Sequence, residues 1–304
     1  MRWTAVVNPV AGRGRTRRML PTLRHALEEH AVAVHVSMDV DDGRRVARDA
    51  FLRGEGVVAC GGDGTVSALA GVAADEGGPI AIVPTGAGND LARQLGLDPR
   101  QAIDAVALLD AGRIGRMDLG RAEASDGTAE MFTTVANAGF DAEANRWAND
   151  VRWATGTTLY VLALLRTVAA YRPRPMCLRV DDTTWEGPAW LVAVGNTRWY
   201  AGGMMITPGA EIDDGLLDVC IVGDGSTAEF LRRFPRVFKG THTALDSVTT
   251  LRGSSVEITA SDAGQHGLEL WASGERVGPL PARLEAVPGA LQVLVPETSA
   301  LIRR

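Results

Sequence analysis

Lysine is all but absent from this chain. Of its 31 basic residues in 304, Lys239 is the single lysine. A Walker A loop needs Gly-Lys-Ser/Thr, and a protein kinase needs a strand lysine in a V-A-I-K context. Lys239 stands between Phe238 and Gly240 and fits neither. Nucleotide chemistry here must therefore run on backbone amides, arginine and metal. Cysteine is nearly as scarce. Cys60, Cys177 and Cys220 form no CxxC pair, which argues against a disulfide framework and a zinc site and suits a reducing cytoplasm. The five histidines form no HExxH. Long apolar runs are missing too. The longest, 160–171, is broken by Arg166 and falls short of the roughly 18–20 residues of a spanning helix. A strand-like run at 3–7 leaves no room for a signal peptide. A basic field is also lacking: the net charge is -6, which argues against nucleic acid as a partner.

What is present suits two domains with real cores, since 46% of residues are hydrophobic and 22% charged. Strands are expected at 3–7, 32–36, 57–60 and 80–83, and helices at 15–30, 65–74 and from about Asn89. This alternation predicts a parallel, helix-covered sheet whose loops share one ligand-binding edge. After about residue 120 the texture changes. Short strands are expected at 132–136, 176–180, 189–194, 217–222, 256–259, 268–271 and 291–295, between Gly, Pro and Asp clusters. They predict an antiparallel β domain, with helical interludes at 157–171 and 227–238. The first interlude reads as a packing helix, with a wall of an acyl-chain site as the sharper reading.

Three loops on the predicted edge carry chemistry. Gly61-Gly62-Asp63-Gly64-Thr65 follows a strand and precedes a helix. Consecutive glycines let amides approach phosphate oxygens, and the helix adds its positive end. Asp63 makes sense there as a Mg²⁺ partner; alone, the motif would read as a tight turn with an exposed aspartate. Pro84-Thr85-Gly86-Ala87-Gly88-Asn89-Asp90 repeats the pattern, with Asn89 as helix cap and Asp90 in the first turn. Asn8 to Gly14, first of the three along the chain, completes the set, with Arg13 or Arg15 as a phosphate partner. It is not a dinucleotide fingerprint, because Arg17 stands where a third glycine belongs.

The runs N-P-V-A-G (8–12), G-G-D-G-T (61–65) and P-T-G-A-G-N-D-L-A-R (84–93) resemble the diacylglycerol kinase catalytic domain family, which includes bacterial soluble members and sphingosine kinases. The resemblance continues through Asp118 in R-M-D-L-G, Gly139 to Ala142, Gly202-Gly203-Met204, Pro208, Asp213 to Asp218 and Gly240-Thr241-His242. It implies an α/β N-terminal domain with a parallel sheet and a C-terminal antiparallel β-sandwich domain. The divisions would be 1–120 and 121–289, with 290–304 returning to the first domain. It further implies transfer of the γ-phosphoryl group of ATP to a hydroxyl of a diacylglycerol-like lipid, at the membrane surface. By resemblance, Gly61, Gly62, Asp63, Gly64, Thr65, Val66 and Ser67 would cradle the nucleotide, joined by Asn8, Ser37, Gly86, Ala87 and Asn89. Asp63, Asp90 and Asp118 match acids that organise Mg²⁺. Asp214, with the carbonyls of Glu211 and Leu216, matches a second metal site; the plainer reading there is a turn on Asp-Asp-Gly.

The chain also departs from the family. Ser67-Ala68 replaces the usual Asn-Glu, and Ala87 replaces a threonine. Ser273-Gly274-Glu275 stands where the family carries Asp-Gly-Glu, with a carboxylate as general base. A serine is no base near neutral pH, and general-base catalysis is typically worth about 10²–10⁴-fold. Glu275, two residues on, is the stand-in. Three readings follow: an active lipid kinase using Glu275, a degenerate member that binds nucleotide or lipid, and a kinase of NAD. The motifs of the second half favour lipid over NAD. Neither the lipid nor the oligomeric state is fixed by sequence; a homodimer is admitted.

Overall fold

A computed structural model of the chain describes residues 1–140, 171–260 and 268–302. Strands β1 (Trp3–Val7), β2 (Ala33–Val36), β3 (Gly56–Gly61) and β4 (Pro79–Pro84) form a parallel sheet in the order β2-β1-β3-β4. Helices α1 (Ala11–Glu29), α2 (Val40–Leu52) and α3 (Asp63–Glu76) connect them, and α4 (Asp90–Gln94) follows β4. All six residues of β3 are buried, as a strand with helices on both faces requires. Its side chains alternate. Val57 and Ala59 pack with Leu69, Ile80 and Ile82 beneath α2 and α3. Val58 and Cys60 pack with Leu23, Leu27 and Val83 on the α1 side.

Beyond residue 112 the described residues are mostly antiparallel strand. It runs through β5 (Arg113–Ala124), β6 (Ala129–Phe132), β7 (Val135–Gly139), β8 (Arg174–Val180) and β9 (Thr183–Gly195). It continues through β10 (Leu217–Gly223), β11 (Val248–Gly253), β12 (Ser255–Ala260), β13 (Glu269–Ala272), β14 (Glu275–Pro279) and β15 (Ala282–Val295). One face encloses a sandwich core with Leu178, Val192, Val219, Ile258 and Leu284. The other face of β7, β9 and β10 carries an aromatic cluster that includes Phe140, Tyr171 and Trp190. A short helix, Thr227–Arg233, and a 3₁₀ turn, Phe234–Lys239, pack on it.

β15 joins the two halves. Its first residues pair with β12, and Gln292 and Val293 pair in parallel with Pro79 and Ile80 of β4. β5 lies antiparallel along most of its length. Leu284 therefore belongs to the sandwich core, while Leu291 and Val293 belong to the core of the parallel sheet.

The structure adds elements to the sequence reading. α2 is one of them: Asp39 accepts the Asp42 N–H at 2.8 Å as its cap, and Ala47, Ala50 and Phe51 are buried. Its charged start, Asp41 to Arg45, hides that apolar face. β5, β11 and β14 are likewise additions. The run 132–136 is divided between β6 and β7 by Thr133 and Thr134. Within α1, residues 12–14 have positive φ, so the regular helix starts near Arg15. Of the interlude at 157–171, all but Tyr171 lies outside the described residues.

Leu284→Ala and Leu291→Ala are each expected to lower stability by about 2–5 kcal/mol, because both side chains are fully buried. Since β15 serves both cores, urea unfolding followed by circular dichroism should remain a single transition in either variant. Two separated transitions in Leu291→Ala would show halves that unfold independently.

Candidate active site

Three loops meet at the carboxyl edge of the parallel sheet. The Gly61 carbonyl accepts from the N–H groups of Thr85 and Gly86, each at 3.0 Å. The second and third loops are thereby zipped together. A β-carbon built on Gly86 would lie 2.2 Å from the Gly62 Cα, so only glycine allows the approach. Asn89 holds its loop closed, with φ +54, by accepting from the Gly86 N–H at 2.9 Å and donating to the Gly86 carbonyl at 2.8 Å. It occupies the cap position of α4, but its side chain makes no cap bond. The first loop leans on the other two. Asn8 donates to the Thr65 hydroxyl at 2.9 Å, and Thr16 donates to the buried Thr85 hydroxyl at 2.7 Å. Arg15 is tied to the Pro99 carbonyl at 3.0 Å, while Arg13 stays exposed at the loop.

Asp63 and Asp90 are brought side by side. The N–H groups of Asp90 and Leu91 donate to Asp63 Oδ1 at 2.7 and 3.2 Å. A β-carbon on Gly88 would sit 2.7 Å from Asp63 Oδ2 and 3.3 Å from Asp90 Oδ2, so glycine keeps the space between the carboxylates clear. Asp90 pairs with Arg93 and accepts from the Gly202 N–H at 2.8 Å. Burial raises the pKa of Asp63. Burial and then the charge of Asp63 push Asp90 up to about 6. Two desolvated carboxylates that repel each other are a natural seat for a hard cation. Arg93 and Gly202 were not foreseen as site residues. Their signals were present: Arg93 falls one helical turn after Asp90, and Gly202 opens the Gly-Gly-Met motif.

Other expected site residues stand apart from this pair. The buried Asp118 carboxylate accepts from the N–H groups of Gly215 at 2.6 Å and Gly289 at 2.7 Å. Asp214 accepts from the Leu216 N–H at 3.0 Å and is paired with Arg252. Burial, then the charge of Glu211, push Asp218 up to about 6. Ser37 is buried and donates to the Val7 carbonyl at 3.2 Å. Val66 is part of the core, Ala87 is exposed on the lip of its loop, and the Ser67 hydroxyl lies 2.6 Å from that of Thr133.

The Ser273 region resolves into a hairpin. Ala272 pairs with Glu275 across β13 and β14, and the two residues between have φ of +49 and +86. Positive φ at both central positions is the signature of a type I′ turn. The buried Ser273 hydroxyl turns inward, 3.1 Å from that of Thr134. Glu275 points the other way. A β-carbon on Gly64 would lie 3.0 Å from Glu275 Oε1, so the carboxylate rests on the first turn of α3. Lost water and the charge of Glu130 raise its pKa, opposed by Arg44.

A pH dependence follows. Asp90 keeps its proton to about pH 6 when folded, against an ordinary 3.8. The folded state binds more protons in that window, so stability falls as pH rises through it. In EDTA, the native protein is expected to lose urea stability between those values. Asp90→Asn should remove much of that loss. Parallel profiles for the two proteins would show a solvated, uncoupled Asp90.

Comparison with known proteins agrees with this geometry. Residues 2–122 match the family described as diacylglycerol kinase catalytic domain, and residues 134–295 match the YegS C-terminal NAD kinase beta sandwich-like domain. A Mycobacterium tuberculosis protein named diacylglycerol kinase is 37% identical over 297 residues, covering 96% of this chain and 94% of that one. A Pseudomonas aeruginosa protein named probable lipid kinase YegS-like is 30% identical, covering 96% and 93%. The crystal structure of a putative diacylglycerol kinase from Bacillus anthracis superposes with a TM-score of 0.79 at 21% identity, covering 98% and 96% of the two chains, a likeness of fold. With matches along nearly its whole length and in both halves, the chain belongs to the diacylglycerol kinase family of lipid kinases.

Proposed function

We propose that this protein transfers the γ-phosphoryl group of ATP to the hydroxyl of a diacylglycerol-like lipid, with Mg²⁺ held by Asp63 and Asp90. The observation that carries the reading is the placement of Glu275 against Gly64, beside the loop that bears Asp63. One carboxylate of raised pKa stands next to the phosphate loop, and two others stand together below it. Among the described residues, no group of three His, Cys, Asp or Glu side chains is placed to hold a metal. Mg²⁺ is commonly held by one or two carboxylates plus substrate phosphates, and Asp63 and Asp90 supply two carboxylates. When bound, it would neutralise charge on the phosphates.

The chain's own residues supply the rest. The first turn of α3 leaves its leading amides without intrahelical acceptors, as every helix start does, and these serve the phosphates. Gly61, Gly62, Gly64 and Gly86 keep side chains out of the way. Asn8, Thr65, Ala87 and Asn89 shape the rim, and Ser37, Val66 and Ser67 support it from behind. Glu275 takes the proton of the lipid hydroxyl. That oxygen bonds to the γ-phosphorus as the bond to the β–γ bridging oxygen breaks, and ADP leaves. Burial raises the Glu275 pKa above the ordinary glutamate value, the direction that makes a carboxylate a stronger base. Asp118 acts as a positioning residue, holding Gly215 and Gly289. A second cation at Asp214, with the carbonyls of Glu211 and Leu216, would take the place Arg252 holds. The division into domains 1–120 and 121–289, and contact with the membrane from the cytoplasmic side, belong to the same proposal.

The degenerate reading rests on Ser273, and one comparison decides it. With labelled ATP and lipid micelles, Glu275→Gln is expected to lose about 10²–10⁴-fold in kcat, with KM for ATP little changed. Ser273→Asp should leave kcat close to native. Activity only in Ser273→Asp would establish the degenerate reading instead.

A further inference from the structure

One run is chemically unlike the rest of the chain. Residues 230–245 contain Arg232, Arg233, Arg236 and Lys239 and no aspartate or glutamate, in a chain of net charge -6. Three of the six phenylalanines, Phe230, Phe234 and Phe238, recur in it at intervals of four. The structure lays the run across the outer aromatic cluster. Phe230 lies 5.0 Å from both Phe140 and Trp190, centroid to centroid. Phe234 follows at 6.1 Å, and Phe238 at a further 6.0 Å. The ladder starts in the core and ends in solvent, where Phe238 is 50% and Leu231 37% exposed. Arg232, Pro235, Arg236 and Lys239 are exposed beside them. At the inner end, Phe140, Trp190, Phe230 and Phe234 line a cavity of about 60 Å³.

Exposed phenylalanine and leucine interleaved with cations need a partner that is apolar within and negative at its surface. An anionic bilayer is both. Its acyl boundary accepts large apolar side chains, and its headgroups attract lysine and arginine. Arg233 is engaged inward, with Glu229 and the Ser247 hydroxyl, which leaves three cations on the outer side. We propose that residues 230–239 are a docking surface for anionic bilayers, with Leu231 and Phe238 entering the acyl boundary and Arg232, Arg236 and Lys239 on the headgroups. The aromatic ladder then leads from the bilayer to the cavity. This deepens the lipid-kinase reading and rests on it for its purpose. Among the described residues, no helix is long and apolar enough to cross a membrane.

The test is co-sedimentation of the full chain with vesicles, without nucleotide. Phosphatidylcholine vesicles are compared with phosphatidylcholine mixed with phosphatidylglycerol. Native protein is expected to prefer the anionic vesicles and to lose that preference in high salt. The triple variant Arg232→Gln, Arg236→Gln, Lys239→Gln should bind them roughly 100-fold more weakly. Leu231→Ser with Phe238→Ser should also weaken binding. Arg17→Gln, Arg18→Gln, Arg24→Gln removes the same charge from the exposed side of α1 and should bind like the native chain. Equal native binding to both vesicle types, native-like binding by the docking variants, or an equal loss in the α1 variant overturns the proposal. Each protein is also assayed on short-chain diacylglycerol dispersed in detergent, where docking is not needed. Vesicle binding through the run without any phosphorylation leaves docking standing and removes the kinase reading. Phosphorylation without run-dependent binding removes docking alone.

Discussion

The site depends on two backbones in contact. Gly62 and Gly86 approach so closely that a single methyl group on Gly86 would part them. Their strands, β3 and β4, are adjacent and parallel, so both loops leave the sheet at one level. The Gly61 carbonyl, shared by two amides of the next loop, then fixes the separation. Each loop carries one aspartate just past its glycines. The contact forces these two charges together and away from water. The sheet and helices make that unfavourable arrangement permanent, because no loop can relax without breaking core packing. What remains is a rigid, electron-rich notch that a phosphate-bound cation would relieve.

The same notch is reached from the second half of the chain at several points. Gly202 donates to Asp90, Glu275 lies on Gly64, and Thr133 bonds Ser67 on α3. The Asp118 carboxylate accepts from Gly215, just before β10, and from Gly289, at the irregularity within β15. The hydrogen bonds among them are 2.6–2.8 Å long, and β15 runs through both cores. A group supplied by the sandwich can thus be held within hydrogen-bonding precision of a loop supplied by the parallel sheet. On the proposed mechanism, proton abstraction and phosphate binding need that precision, because different halves carry them.

Much of this was legible in the sequence, for physical reasons. Glycine pairs after fully apolar strands mean backbone approach, and the structure shows it at Gly62 and Gly86. The alternation of strands and helices gave the parallel sheet. α2 was not legible, because its buried face has just three apolar side chains, Ala47, Ala50 and Phe51, beside Asp42 and Gly43. β5 and β15 were obscured by glycine and proline within long strands. Asp118 matches a Mg²⁺ acid by resemblance, and the structure adds bonds to Gly215 and Gly289, which lie 97 and 171 residues away. Spacing along the chain carries no trace of such bonds. Asn89 likewise looks like a helix cap, but its left-handed backbone turns the side chain into its own loop.

The Ser-Gly-Glu segment shows how turn chemistry and catalysis can be confused. Read as extended chain, Ser273 and Glu275 share a face, and a missing aspartate looks like a missing base. In the hairpin, residue 273 must adopt positive φ, a conformation that aspartate and asparagine tolerate better than most side chains. Asp-Gly is a favoured pair for that turn whatever its chemistry. The side chain at 273 points to Thr134, inside the protein, and the one at 275 points to the phosphate loop. Serine there sacrifices some turn preference, of the order of 1 kcal/mol for a left-handed non-glycine residue. It recovers part through the Thr134 contact. Within the proposed mechanism, the departure from the family pattern is thus a change at the support of the hairpin, while the carboxylate that faces the nucleotide loop is kept.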